Sequence, residues 1–166
     1  MKLGVYTNLF ADLELDDCLE RISGTGVEAV EISAGNYNGS AHCRVAELLA
    51  SDDRCREYKR KFTDRGLEIC ALTSHGNLLH PNPGKRRRFR SVQHKAIRLA
   101  EKLGVPTVNT FSGCPGDSKT AKYANFVSFP WPDENTALLR WQWEEEVIPF
   151  WEREAKYARD HGVRIG

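Results

Sequence analysis

Residues 26–33 read Gly-Val-Glu-Ala-Val-Glu-Ile-Ser, and the same phrase returns as GLEICALTS at 66–74, GVPTVNTFS at 104–112 and GVRIG at 162–166. A glycine just past a helix accepts the left-handed turn that ends it, and a Val/Ile/Leu run behind it suits a parallel strand. An amphipathic stretch precedes these glycines. Residues 13–24 carry Leu13, Leu15, Leu19 and Ile22, with Asp12, Glu14, Asp16 and Asp17 near the start, where the helix dipole favours negative charge. Residues 87–103 repeat the logic with Val92, Ala96, Ile97, Leu99, Ala100 and Leu103. The chain therefore predicts strands at 2–10, 27–33, 67–74 and 106–111, alternating with helices at 13–24, 42–65, 87–103 and 135–161, and a further strand opening at Gly162. Strict alternation means parallel strands joined by right-handed crossovers.

Two parallel architectures compete. A doubly wound sheet usually grips a phosphate with a glycine-rich turn after its first strand, but here that strand runs into Thr7-Asn8-Leu9-Phe10-Ala11-Asp12. Neither G-x-G-x-x-G nor G-x-x-x-x-G-K-[ST] occurs, and SGTG at Ser23–Gly26 precedes a strand, so it is a helix stop. A (β/α) barrel needs no such turn. It keeps its long loops at the carboxyl ends of the strands, and the segments 34–41, 75–86 and 112–134 are long whereas the turns entering strands are tight. The sequence thus predicts an α/β fold of TIM-barrel type, truncated to about four and a half β/α units, with residues 1–166 forming one domain.

Composition sets the outer bounds. A hydrophobic content of 40% fills one ordinary core, and 24 basic against 23 acidic residues leave a net charge of +1, with no global pull toward nucleic acid or anionic lipid. Mean hydropathy is −0.53, and no stretch reaches the roughly 20 apolar residues of a membrane span. Met1-Lys2 leads directly into a strand rather than a signal peptide. Cys18, Cys43, Cys55, Cys70 and Cys114 are odd in number and lack a C-x-x-C pair, which favours reduced thiols and a cytoplasmic location over a disulfide framework or structural zinc.

Five segments taken in order resemble the sugar phosphate isomerase/epimerase family of xylose-isomerase-like TIM barrels. They are KLGVYTNLF from Lys2, GVEAVEIS from Gly26, SHGN at Ser74–Asn77 with His80-Pro81 behind it, AEKLGVPTVNTFSG from Ala100, and WQWEEEVIPFWEREAKYARDHGV from Trp141. The resemblance runs through the whole chain but covers the amino-terminal half of such a barrel. It implies metal-assisted isomerisation or epimerisation of a sugar, sugar phosphate or polyol, in which a divalent ion (Mn, Mg, Zn or Co) clamps substrate oxygens and carboxylates move a proton on and off carbon. It also implies that the metal is held by a Glu, Asp, His, Glu set on strands five to eight. The sequence stops inside strand five, so no metal ligand is assigned and the chain is expected to be inactive by itself.

Candidate residues cluster at the carboxyl ends of the first four strands. His75, after strand three, offers an imidazole for hydrogen bonding or proton movement near neutral pH, and a loop-carbonyl role competes with that. Glu31 is a carboxylate inside an apolar strand, a costly placement unless it faces a polar pocket or a base. These two are the expected catalytic pair. Tyr6 and Asn109, with Asn8 more weakly, share the logic as sugar-binding residues, although Tyr6 suits the core equally. In the loop after strand three, Asn77, a donor and acceptor for a polyol, and His80, at the pocket rim, are expected to bind substrate, although Gly76-Asn77 also signals a turn and His80-Pro81 suits a structural one. Loop 112–134 carries Tyr123, Phe126, Phe129 and Trp131, and Phe129 or Trp131 is the expected aromatic wall for a sugar.

The run Lys85-Arg86-Arg87-Arg88-Phe89-Arg90 could steer an anionic sugar phosphate or simply be solvated. The consecutive acids Glu144–Glu146 point in different directions on a helix and make no metal site, and Pro149 should kink or divide that helix. Alternatives of other classes are a self-associating half barrel, driven by two open edges and an uncovered apolar face, a non-catalytic carbohydrate-binding module, and a relative acting on abasic DNA. Sparse positive charge outside 85–90 argues against the last.

Overall fold

Gly104 closes a 21-residue helix with φ 71°, its N–H bonded back to the carbonyls of Ala100 and Glu101, and the chain turns at once into a strand. Gly66 and Gly162 take the same left-handed conformation before their strands. The computed structural model describes residues 1–166 throughout. Its strands are β1 Gly4–Tyr6, β2 Ala29–Ser33, β3 Glu68–Thr73, β4 Thr107–Asn109 and β5 Arg164–Ile165. They form one parallel sheet in the order β1-β2-β3-β4-β5. Helices α1 Leu15–Ile22, α2 Val45–Ala50, α3 Asp52–Thr63, α4 Pro83–Leu103, α5 Asp133–Trp141 and α6 Ile148–Asp160 complete the β/α alternation.

Alternation along each strand sorts the residues onto two faces. Val5, Val30, Ile32, Ile69, Leu72, Val108 and Ile165 point to the helices and pack with Leu19, Ile22, Phe62, Ile97, Leu103 and Ala158 in one continuous core. The other face carries Tyr6, Glu31, Ser33, Thr73, Thr107 and Asn109. The inner face is thus more polar than the apolar face expected of a half barrel: Ala29 and Ala71 lie on it, while the branched residues lie on the helix side. A bulge sharpens this division. Val30 pairs with Ile69 but Glu31 pairs with Ala71, so Cys70 is the extra residue, and the shift sets Thr73 opposite Ser33.

Four boundaries differ from the sequence expectation, each for a local reason. The first strand ends at Tyr6, because Thr7–Phe10 winds into a 3₁₀ turn whose Thr7 hydroxyl donates to the Glu31 carbonyl at 3.3 Å. The expected helix at 42–65 divides at Ser51, whose extended backbone and side-chain oxygen, accepting from the Arg54 N–H, cap α3. Helix α4 starts at Pro83 rather than 87, since Asn82 caps it by accepting from the Lys85 N–H at 3.0 Å. The last helix begins at Asp133 and is interrupted by a π turn, Gln142–Val147, where the Ile148 N–H bonds to the Trp143 carbonyl. Pro149, which has no N–H to give, lies just beyond it in the first turn of α6. No helix is long and apolar enough to cross a membrane.

Candidate functional site

The polar inner face becomes a site where β1 to β4 end. Glu31 sits at the middle of β2, and its Oε1 accepts from the Asn109 amide of β4 at 2.8 Å and from the Thr73 hydroxyl of β3. Two neutral donors from two neighbouring strands thus fix one carboxylate oxygen. Tyr6, the register partner of Glu31 on β1, has a buried hydroxyl without a hydrogen bond. Burial raises its pKa, the neighbouring Ser33 and Thr73 hydroxyls oppose that, and the Glu31 charge adds to it. Ser33 is spent on the loop behind it, its hydroxyl donating to the Gly39 carbonyl at 2.8 Å.

His75 overhangs this floor. Its ring lies 4.2 Å from that of Phe111, its carbonyl accepts from the Tyr37 N–H, and its Nδ1 is buried without a partner. Burial holds the imidazole below the ordinary histidine range, against an opposing pull from Glu31. The site therefore presents a neutral imidazole, an unpartnered phenol and a carboxylate at one end of the sheet. Unsatisfied polar groups of this kind are costly unless something meets them.

A cavity of about 430 Å³ opens beside His75, lined by Tyr37, His80, Phe111, Cys114, Ala124 and Phe126, with Asn77, Ser112 and Gly113. The long loop that forms its far wall is stapled at three places. Asn77 grips Cys114 on both sides, donating to its carbonyl and accepting its N–H, each at 2.8 Å. Gln142, at the start of the π turn, donates to the carbonyls of Gly116 and Asn125 at 3.0 and 2.9 Å. The Trp151 indole N–H donates to the Ser112 carbonyl at 2.7 Å.

The structure gathers Tyr6, Glu31, Asn109 and His75, with His80 at the rim of the cavity. Asn77 lies in the same wall with its amide committed to the loop. Trp131 is exposed and outside the cavity lining, and its carbonyl accepts from Asn135. Thr73, on the floor beside Glu31, and Tyr37, Phe111 and Phe126, which line the adjoining cavity, are the residues that sequence reasoning passed over. Thr73 ends a strand one residue before the SHGN segment, which is the signal that was available. Arg90, from the basic run, is turned inward, donating from Nε to the Leu78 carbonyl at 2.8 Å with its guanidinium 4.4 Å from the Phe150 ring.

No three His, Cys, Asp or Glu side chains come together to hold a metal ion. Glu31 alone, with neutral donors on one oxygen, falls short of the several ligands a divalent ion takes. Residues 1–166 do not fit the metal that the resemblance implies.

Comparison with known proteins bears on the family and the fold. The chain is 31% identical over 166 residues to the uncharacterized protein YfiH of Bacillus subtilis (strain 168), covering 98% of this chain and 52% of that protein. A D-psicose 3-epimerase solved in the presence of D-fructose superposes with a TM-score of 0.59 at 14% identity, over 99% of this chain and 51% of the epimerase. A sugar phosphate isomerase/epimerase from Parabacteroides distasonis ATCC 8503 gives a TM-score of 0.56 at 17% identity, over 99% and 50%. At these identities the two structures speak for the fold. The chain spans about half the length of the relatives it matches. The profile of one family, described as xylose isomerase-like TIM barrel, matches residues 19–166. The parallel sheet with its polar inner face and that match lead to one conclusion: the chain belongs to the xylose isomerase-like TIM barrel family.

Proposed function

We propose that the carboxyl-end face of this sheet is the sugar-binding wall of an isomerase or epimerase acting on a sugar, a sugar phosphate or a polyol. The observation that carries this is the set of polar groups converging there: Glu31 oriented by Thr73 and Asn109, beside the unpartnered Tyr6 hydroxyl and His75 Nδ1. A sugar offers hydroxyl and carbonyl oxygens that satisfy such groups, and an apolar ligand would leave them unmet. His75 and Tyr6 bind and orient substrate oxygens. Glu31 takes a proton from the carbon beside the carbonyl, leaving an enediolate, and gives it back to that carbon or, once the hydroxyl proton has crossed to the former carbonyl oxygen, to its neighbour.

Inversion at one carbon needs a second acid on the opposite face of the enediolate. The inner face of β1 to β5 presents one carboxylate at its carboxyl end, so the chain by itself binds the sugar without inverting it. Calorimetric titration of the full chain with a panel of ketohexoses and ketose phosphates tests this. We expect saturable binding to at least one, weakened about tenfold or more in Glu31→Gln and in His75→Ala, with no epimer accumulating. Absence of binding across the panel, or binding indifferent to both substitutions, would overturn it.

A further inference from the structure

The cavity beside His75 is built from different material than the floor it adjoins. Tyr37, Phe111 and Phe126 line it, and they stand 60%, 52% and 79% exposed. Three wet aromatic rings around one hollow are an apolar patch of the kind that marks a ligand or partner site. No carboxylate, lysine or arginine lines the hollow.

Its polar groups are largely spent. Both ends of the Asn77 amide are engaged, Nδ2 with the Cys114 carbonyl and Oδ1 with the N–H groups of Cys114 and Leu79. The Cys114 thiol donates to the Asn125 carbonyl, and the Ser112 carbonyl is taken by Trp151. A second sugar ring would bring several hydroxyls into this space and find few partners. A flat apolar ring would find three aromatic faces.

Besides the Tyr37 and Ser112 hydroxyls, His80 offers a polar atom of defined character. The His80 Nδ1 accepts the Asn82 N–H at 2.9 Å, and burial together with Lys85 and Arg86 holds the ring below the ordinary histidine range. A neutral ring accepting at Nδ1 carries its proton on Nε2, which leaves that nitrogen as a donor. Phe111 joins the two compartments, lining the cavity on one side and packing tilted against the His75 ring on the other.

We infer that the cavity is a subsite for an aryl substituent: the sugar held over Glu31 and His75 carries, on an oxygen away from its carbonyl, an aryl group seated among Tyr37, Phe111 and Phe126 with a ring oxygen or phenolic oxygen toward His80. The inference rests on the sugar-binding function proposed above. Binding energy gained on such a group is remote from the reacting carbon, where it serves positioning.

Calorimetry on the full chain with four ligands tests it: a monosaccharide, its 4-nitrophenyl ether at the terminal hydroxyl, a disaccharide of the same sugar linked through that hydroxyl, and 4-nitrophenol alone. The aryl ether should bind about tenfold tighter than the monosaccharide, as one or two ring contacts provide. The disaccharide should gain nothing. Phe126→Ala and Tyr37→Ala, both at exposed positions that the core does not need, should remove the aryl gain and leave monosaccharide affinity unchanged. Equal affinity for monosaccharide and aryl ether, a gain shared by the disaccharide, or a gain that survives both substitutions overturns the aryl subsite while leaving the sugar site intact. Binding of 4-nitrophenol with none of the sugars overturns the sugar site itself, as does failure of all four to bind.

Discussion

The two faces of the sheet share every strand and almost nothing else. On the helix side, Val30, Ile32, Leu72 and Val108 are fully buried, and their contribution is area removed from water. On the inner side, Glu31, Thr73 and Asn109 form a hydrogen-bonded group, and their contribution is position. One residue of register separates the two jobs, so a strand can be altered in one role with the other left standing.

That separation can be broken in order of size. Leu72→Ala should cost about 2–5 kcal/mol in urea denaturation, because a fully buried side chain leaves a cavity. Sugar affinity per folded molecule should not move, and a parallel loss of affinity would mean that the faces are coupled through the backbone. Asn77→Ala comes next. It strands the N–H and carbonyl of Cys114, and about 1–3 kcal/mol of stability should go with them, together with faster proteolysis between 115 and 125. Thr73→Val should change stability by about 1 kcal/mol at most yet weaken sugar binding about tenfold, since Glu31 keeps Asn109 but loses its second donor. A stability loss matching the binding loss would make Thr73 part of the core rather than of the site.

The smallest effect is that of pH. His75 and His80 are both held below the ordinary histidine value of 6.5. As pH falls through that value the unfolded chain takes up protons that the folded chain refuses, so stability declines on the acid side and is complete above it. His75→Asn and His80→Asn together should flatten the denaturation midpoint measured between neutral and mildly acid pH. An unchanged slope would show that neither ring is held neutral by the fold.

Much of the fold was legible because it is written locally. A glycine and a branched run stand side by side, and β2, β3 and α4 followed from them. Two boundaries were also written locally and passed over: Ser51 before Asp52-Asp53 is a capping sequence, and Asn82-Pro83 opens α4. The site was legible only in part. Glu31 drew attention because a carboxylate in an apolar strand needs an explanation, and His75 because of its place after β3. Thr73 and Asn109 lie 42 and 78 residues from Glu31, and nothing short of the sheet register brings them to it. The aromatic wall shows the limit most plainly. Four aromatic residues of loop 112–134 look alike in sequence, and the staples at Cys114, Gly116 and Asn125 are what deliver Phe126 to the cavity in place of Trp131.

The π turn at Gln142–Val147 gives those staples a mechanical origin. Each residue of an α-helix turns the chain by about 100°, and a π turn holds one residue more than the α turn it replaces. Deleting a single residue from 143–146 would close it into ordinary helix and rotate Gln142 by about that angle about the axis of α6. The Gly116 and Asn125 carbonyls would then lose their common donor while Trp151 kept its grip on Ser112. One surplus residue in a helix is thereby the gear setting that decides which part of a distant loop faces the cavity.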